Sequence, residues 1–162
     1  MPEIPARVRL SRAKGFRLQQ HAPGAIVVRR PTRFGNPFTV TEAIADDPTL
    51  TDAQAREYCT GLFDLWLDGL LVNVDDLAER RTWILAHIGD LTGHPLACTC
   101  PLPQLGEPDW CHAASLIRRA NPAPAEPVPP LTTAWASVYA PRDVAFRGRE
   151  TVRLAGAWAG AL

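Results

Sequence analysis

Three cysteines and a histidine fall in the pattern C-x-C-(x10)-C-H at Cys98, Cys100, Cys111 and His112. Thiols and an imidazole that converge can do one of two chemistries. If Pro95 to Cys100 is a strand, residues i and i+2 share a face, so Cys98 and Cys100 point the same way. A helix over 111–120 would put Cys111 at its N-terminus, where free amides and the helix dipole lower a thiol pKa and attract anions. His112 beside it could act as acid, base or anion contact. On this reading Cys98, Cys100, Cys111 and His112 are catalytic. The alternative makes the same four residues tetrahedral zinc ligands. Against it, C-x-C is tighter than the usual zinc spacing, and consecutive helical residues diverge by about 100°. Cys111 and His112 could then converge only with Cys111 at or before the cap. No cofactor is therefore favoured, with zinc as the alternative. Unreactive packed thiols are the plainest reading of all.

The remaining candidates weigh less. Cys59 falls on the apolar face of a helix and reads as a small buried hydrophobe. His21 is in a loop, His87 late in a helix, and His94 just before the cysteine strand. MPEIPARVRL is not a secretory leader, so a structural disulfide is not expected.

A second cluster lies in RPTRFGNPF, 30–38. Arg30 and Arg33 offer charge-assisted donors to a phosphate. Gly35 permits close backbone approach, Asn36 offers an amide to a base or sugar, and Thr32 accompanies them. Phe34 could stack on a base, whereas Phe38 reads as core. The substrate-binding set is thus Arg30, Thr32, Arg33, Phe34, Gly35 and Asn36.

The elements that must carry these residues follow from periodicity. ARVRL (6–10) alternates apolar and basic residues, as a short strand with one wet face does. Residues 11–23 read as loop, and AIVVRR (25–30) as a buried β-branched strand. Pro31 and Pro37 exclude helix and central strand from the loop between them. Thr51 to Gln54 has the capping-box form. Ala55, Cys59, Leu62, Phe63, Trp66, Leu67 and Leu70 then recur at helical spacing, giving a helix over 52–70. A second helix is expected at about 75–90, a strand at 95–100, a loop at 101–110 and a helix at 111–120. Five of the nine residues in 122–130 are proline, which reads as a stiff spacer. Beyond it Trp135, Tyr139, Phe146 and Trp158 suggest a tail that folds back or meets a partner. The order β–β–α–α–β–α predicts an α/β or α+β fold: a small mixed sheet flanked by helices, with a globular domain over 1–121 and a Pro-rich extension over 122–162. Ligands of such sheets sit beyond the carboxyl ends of the strands, where loops 30–38 and 98–112 begin.

RVRLSRAKGFRL, RRPTRFGNPF and LACTCPLPQLGEPDWCHAASLIRRAN, taken together and in order, resemble a family of small bacterial and phage proteins, the domain of unknown function numbered 4326. That family shows R-V-x-L-S-R near its start, R-P-[ST]-[KR]-[WF]-G-N-P-[FW] after a strand, and L-x-C-x-C-P…C-H before a final helix. The match spans roughly residues 6–121 and excludes the tail. Thr99 stands where the family often has an aromatic, and the loop to Cys111 is longer than usual. The last block is also similar to the C…C-H-R motif of the family numbered 488. The resemblance implies a fold neighbourhood, and phage occurrence points by association to nucleotides or modified bases.

Composition bounds the function. The 162 residues carry 17 basic and 17 acidic side chains and are 46% hydrophobic, which excludes wholesale disorder. Zero net charge argues against a bulk nucleic-acid coat protein. The charges are segregated, at +7 over residues 1–40, −10 over 41–110 and +3 over 111–162. No apolar run is long enough to span a membrane. The expectation is a cytoplasmic enzyme, a hydrolase or transferase, acting on a small anionic, nucleotide- or nucleoside-like substrate, with N-glycosidic cleavage or transfer as the specific guess. The alternative is a non-catalytic zinc-stabilised binding module. A nucleic-acid or protein adaptor using the basic 7–33 region ranks last, so nucleic acid is not an expected partner. A homo-oligomer could form through the C-terminal extension.

Overall fold

A computed structural model of the chain describes residues 5–72 and 74–122, and the backbone of 144–146 and 149–152. The elements in chain order are β1 (Arg7–Arg9), α1 (Leu18–His21), β2 (Ile26–Val27), α2 (Val40–Asp46), α3 (Asp52–Leu67), α4 (Ala78–His87), β3 (Leu96–Cys98), α5 (His112–Ala120), β4 (Val144–Phe146) and β5 (Arg149–Val152). Single 3-10 turns at Asp75–Leu77 and Ile88–Leu91 bracket α4. Among the described residues no helix is long and apolar enough to cross a membrane.

The fold is α/β, built on a three-stranded sheet in the order β1-β3-β2. All three strands run parallel, with Arg7 opposite Leu96, Arg9 opposite Cys98, and Ile26 opposite Leu96. β3 is last in sequence but central in space. Its three residues are all buried, as expected of a strand paired on both edges. β1 and β2 are each paired on one edge and only partly covered.

α3 supplies the largest part of the core. Its capping box forms as the sequence predicts: Thr51 Oγ1 accepts from the Gln54 amide, and the Gln54 side chain accepts from the Thr51 amide. Cys59, Leu62, Phe63, Trp66 and Leu67 line its buried face and pack with Val28, Phe38, Ile84, Leu91, Leu96 and Leu116. Burying side chains of this size stabilises the fold by about 1.5–3 kcal/mol each. α5 packs on β3, β1 and α3. Two short helices lie where no helix was expected. α1 falls in the predicted loop 11–23, and α2 is capped by Thr39, whose side chain accepts from the Glu42 amide.

β4 and β5 pair antiparallel as a second, two-stranded sheet. The Pro-rich spacer, the side chains of the tail aromatics and the expectation of an oligomer formed through this extension lie outside the described residues.

Candidate active site

Because the three strands are parallel, their carboxyl ends open on the same side, and the loops that leave them enclose one cavity of about 290 Å³. This is near the lower end of small-ligand sites, about 300–1,000 Å³. Arg12 follows β1, Arg29 and Arg30 follow β2, Cys98 ends β3, and Thr99 and Cys100 follow it. Arg56 and Thr60 reach the cavity from α3, and Trp110, Cys111 and His112 complete it at the start of α5. Four arginines line the cavity, and none of its described lining residues is acidic.

The thiols gather at one end. Cys98 and Cys100 Sγ lie 3.7 Å apart, and Cys98, Cys100 and Cys111 Sγ all lie within 4.8 Å of one another. β3 ends at Cys98, and the bend at Thr99 and Cys100 brings the first two sulfurs together, so the strand repeat expected over 95–100 does not reach Cys100. Cys111 joins them because it is the N-cap of α5, with extended φ/ψ of −136° and 134°, so the helical divergence from His112 does not arise. His112, the first helical residue, is 6% exposed. Its Nε2 lies 3.0 Å from the Val28 carbonyl and its Nδ1 3.9 Å from Cys111 Sγ, while Phe63 packs edge-on to the ring. A carbonyl can only accept, so Nε2 carries the proton and a neutral ring turns a bare Nδ1 toward the thiols. Burial pushes the His112 pKa down, which favours this neutral form.

Three adjacent thiols do not ionise alike. Cys98 is held well below the ordinary thiol range, because Cys100 and Cys111 can both turn S–H groups toward it. Cys111 is pushed up by its bonds to Cys100 and Cys98 and by burial. Cys100 is also pushed up: its bond from Cys111 works to lower it, but its bond to Cys98, burial and the charge of Cys98 together outweigh this.

The RPTRFGNPF loop divides its residues. Arg30 and Asn36 line the cavity. Asn36 is also a brace, since its Nδ2 donates to the Cys59 carbonyl at 2.9 Å and its Oδ1 accepts from the Phe38 amide at 2.9 Å. Gly35 is required by close approach, as a Cβ there would stand 2.7 Å from the Arg30 amide nitrogen. Arg33 and Phe34 turn away and pack on Trp83 of α4, the guanidinium 5.2 Å from the ring centre. The Thr32 hydroxyl is buried with no hydrogen-bond partner among the described residues. Phe38 is core, as expected. His21 stacks on Phe16, His87 on Trp83, and His94 meets the Gly24 carbonyl, so none of them lines the cavity.

Two arginines outside the expected set hold these loops. Arg7 Nε donates to Asp109 at 2.6 Å, and its NH1 donates to the Cys100 carbonyl at 3.0 Å. Its NH2 donates to the Pro101 carbonyl. The Arg7 side chain is 3% exposed, so the strand face expected to be wet is covered here by the loop after β3. Burial opposes its charge, but Asp109 and the neighbouring thiols more than offset this and leave its pKa raised. Arg80 of α4 donates to the carbonyls of Thr32, Arg33 and Gly35. Burial and the nearby Arg30 charge push its pKa down. The signal for Arg7 was its place in the R-V-x-L-S-R block; nothing local marks Arg80.

A family model described as a domain of unknown function, DUF4326, matches residues 8–122. No curated protein and no solved structure matches the chain.

Proposed function

The chain belongs to the DUF4326 family, a domain of unknown function, and from that footing we propose that it is an enzyme acting on a small anionic, nucleotide- or nucleoside-like substrate. The observation that carries the reading is a single one: four arginines and a buried thiol–imidazole cluster share a cavity beyond the carboxyl ends of parallel strands. Arg12, Arg29, Arg30 and Arg56 supply charge-assisted donors for a phosphate. Trp110, 39% exposed at the cavity, offers a face on which a base can stack. Cys98, Cys100, Cys111 and His112 form the reacting wall, with neutral His112 as proton acceptor. A hydrolase or transferase working at an N-glycosidic bond fits such a wall beside a bound phosphate. Four free cysteines suit a reducing cytoplasm.

The test is a calorimetric titration with inorganic phosphate and nucleoside monophosphates, followed by a turnover screen on the same nucleotides. Arg30→Ala and Arg56→Gln should each weaken phosphate binding, and added salt should weaken it in the unaltered protein. Cys111→Ser and His112→Ala should each lower turnover by about 100-fold or more while the far-ultraviolet spectrum stays native. Undiminished phosphate affinity in both arginine variants, or undiminished turnover in both wall variants, sinks the reading.

A further inference from the structure

We infer that Cys98, Cys100 and Cys111 form a three-thiolate metal centre for one zinc ion, with the fourth coordination position open to the arginine-lined cavity. A zinc–sulfur bond of about 2.3 Å places the sulfurs of a tetrahedral site about 3.8 Å apart. The Cys98–Cys100 separation of 3.7 Å is that edge, and the third sulfur lies within 4.8 Å of both. Sulfur-rich tetrahedral sites select zinc over the harder cations that prefer oxygen.

The surroundings are those of a metal centre's outer shell, where partners hold the ligands in place. Arg7 fixes the turn after Cys98 through the carbonyls of Cys100 and Pro101. Its buried charge lies beside a centre whose net charge, three thiolates with one divalent ion, is negative. His112 stands against Cys111 with its Nε2 engaged by Val28, and it is outside the set of mutually close ligand atoms. It is therefore not one of the ligands. All three cysteines line the cavity, so a ligand held there lies beside the centre. Zinc sites with three protein ligands and an open position are the catalytic kind.

The inference deepens the proposed reaction site and rests on that reading only for the use of the fourth position. It narrows the reading at one point, in that the sulfurs act through the ion instead of as free nucleophiles.

Elemental analysis of the full chain, purified without chelator, should find about one zinc per chain. Cys98→Ser, Cys100→Ser and Cys111→Ser should each lose it, whereas His112→Ala should retain it. The cobalt-exchanged protein should show sulfur-to-cobalt charge-transfer bands in a tetrahedral field, and added inorganic phosphate should shift them. Folded protein that is offered excess zinc, desalted and found metal-free overturns the inference. So does purified protein in which two of these cysteines are joined as a disulfide. Metal content is read without substrate. A zinc-loaded chain with no affinity for phosphate therefore supports the metal centre while removing the anion pocket, and a metal-free chain that binds phosphate does the reverse.

Discussion

Cys59 is 3% exposed at the base of the cavity, and its thiol is pushed up to about 12 from an ordinary 9.0, by burial first and then by the charge of Glu42. The consequence for stability has a definite sign. Between 9.0 and about 12 the unfolded chain has lost this proton and the folded chain keeps it, so stability falls as pH rises through that window. Cys59→Ala should make the alkaline loss of stability shallower by about 1.4 kcal/mol per pH unit, one proton's worth. Denaturant unfolding of both proteins at a series of alkaline pH values measures this, and parallel curves would refute it. Helical spacing alone had identified Cys59 as buried. The residues on either side of the cavity were less legible. Asn36 reads in sequence as an amide offered to a ligand, but both ends of that amide hold the backbone of Cys59 and Phe38. A side-chain amide serves a backbone or a ligand equally well, and only the neighbours it meets in space distinguish the two.

At the scale of elements, the capped and periodic segments were readable and the short ones were not. α3 carries its own start signal and four turns of apolar spacing. α2 has only seven residues between Pro37 and Pro48, too few for a periodicity, although Thr39 and Glu42 repeat the capping pattern. The loop at 31–38 has no regular structure of its own and depends on Arg80 of α4 for three of its carbonyl partners. Hydrogen bonds from a charged donor contribute about 1.5–3 kcal/mol each, and several cut at once do not add fully. Arg80→Ala should therefore destabilise the protein by about 2–3 kcal/mol and weaken phosphate binding through the displaced Arg30. A denaturation midpoint that does not move would show that the loop holds its shape without α4.

The whole molecule depends on where β3 goes. Both pairings of the sheet use it, because β1 and β2 each touch β3 and not one another. A chain shortened to residues 1–91 should therefore have no parallel sheet and no cooperative thermal transition. A sharp transition in that fragment would show that the helical core folds unaided. The segregated charges are also resolved at this scale. Acids of the middle segment meet bases of the end segment where Asp64 and Asp68 pair with Arg118 and Arg119, and Asp109 meets Arg7 from the basic arm. The four arginines of the cavity come from the loops after β1 and β2 and from α3, and only Arg30 among them is marked in the sequence as a ligand contact. By itself, the sequence determined the places of the three parallel strands and of α3, α4 and α5, the position of Cys111 at a helix start, and the family. All of these except the family are written in residues at most a few turns apart, where the strand and helix repeats leave a direct trace. Only the tertiary structure decided that Arg12, Arg29, Arg30 and Arg56 line one cavity with the cysteines while Arg33 and Phe34 face Trp83. That choice follows from inserting β3 between two strands that precede it by most of the domain, an outcome of summed burial over distant segments that no local spacing records.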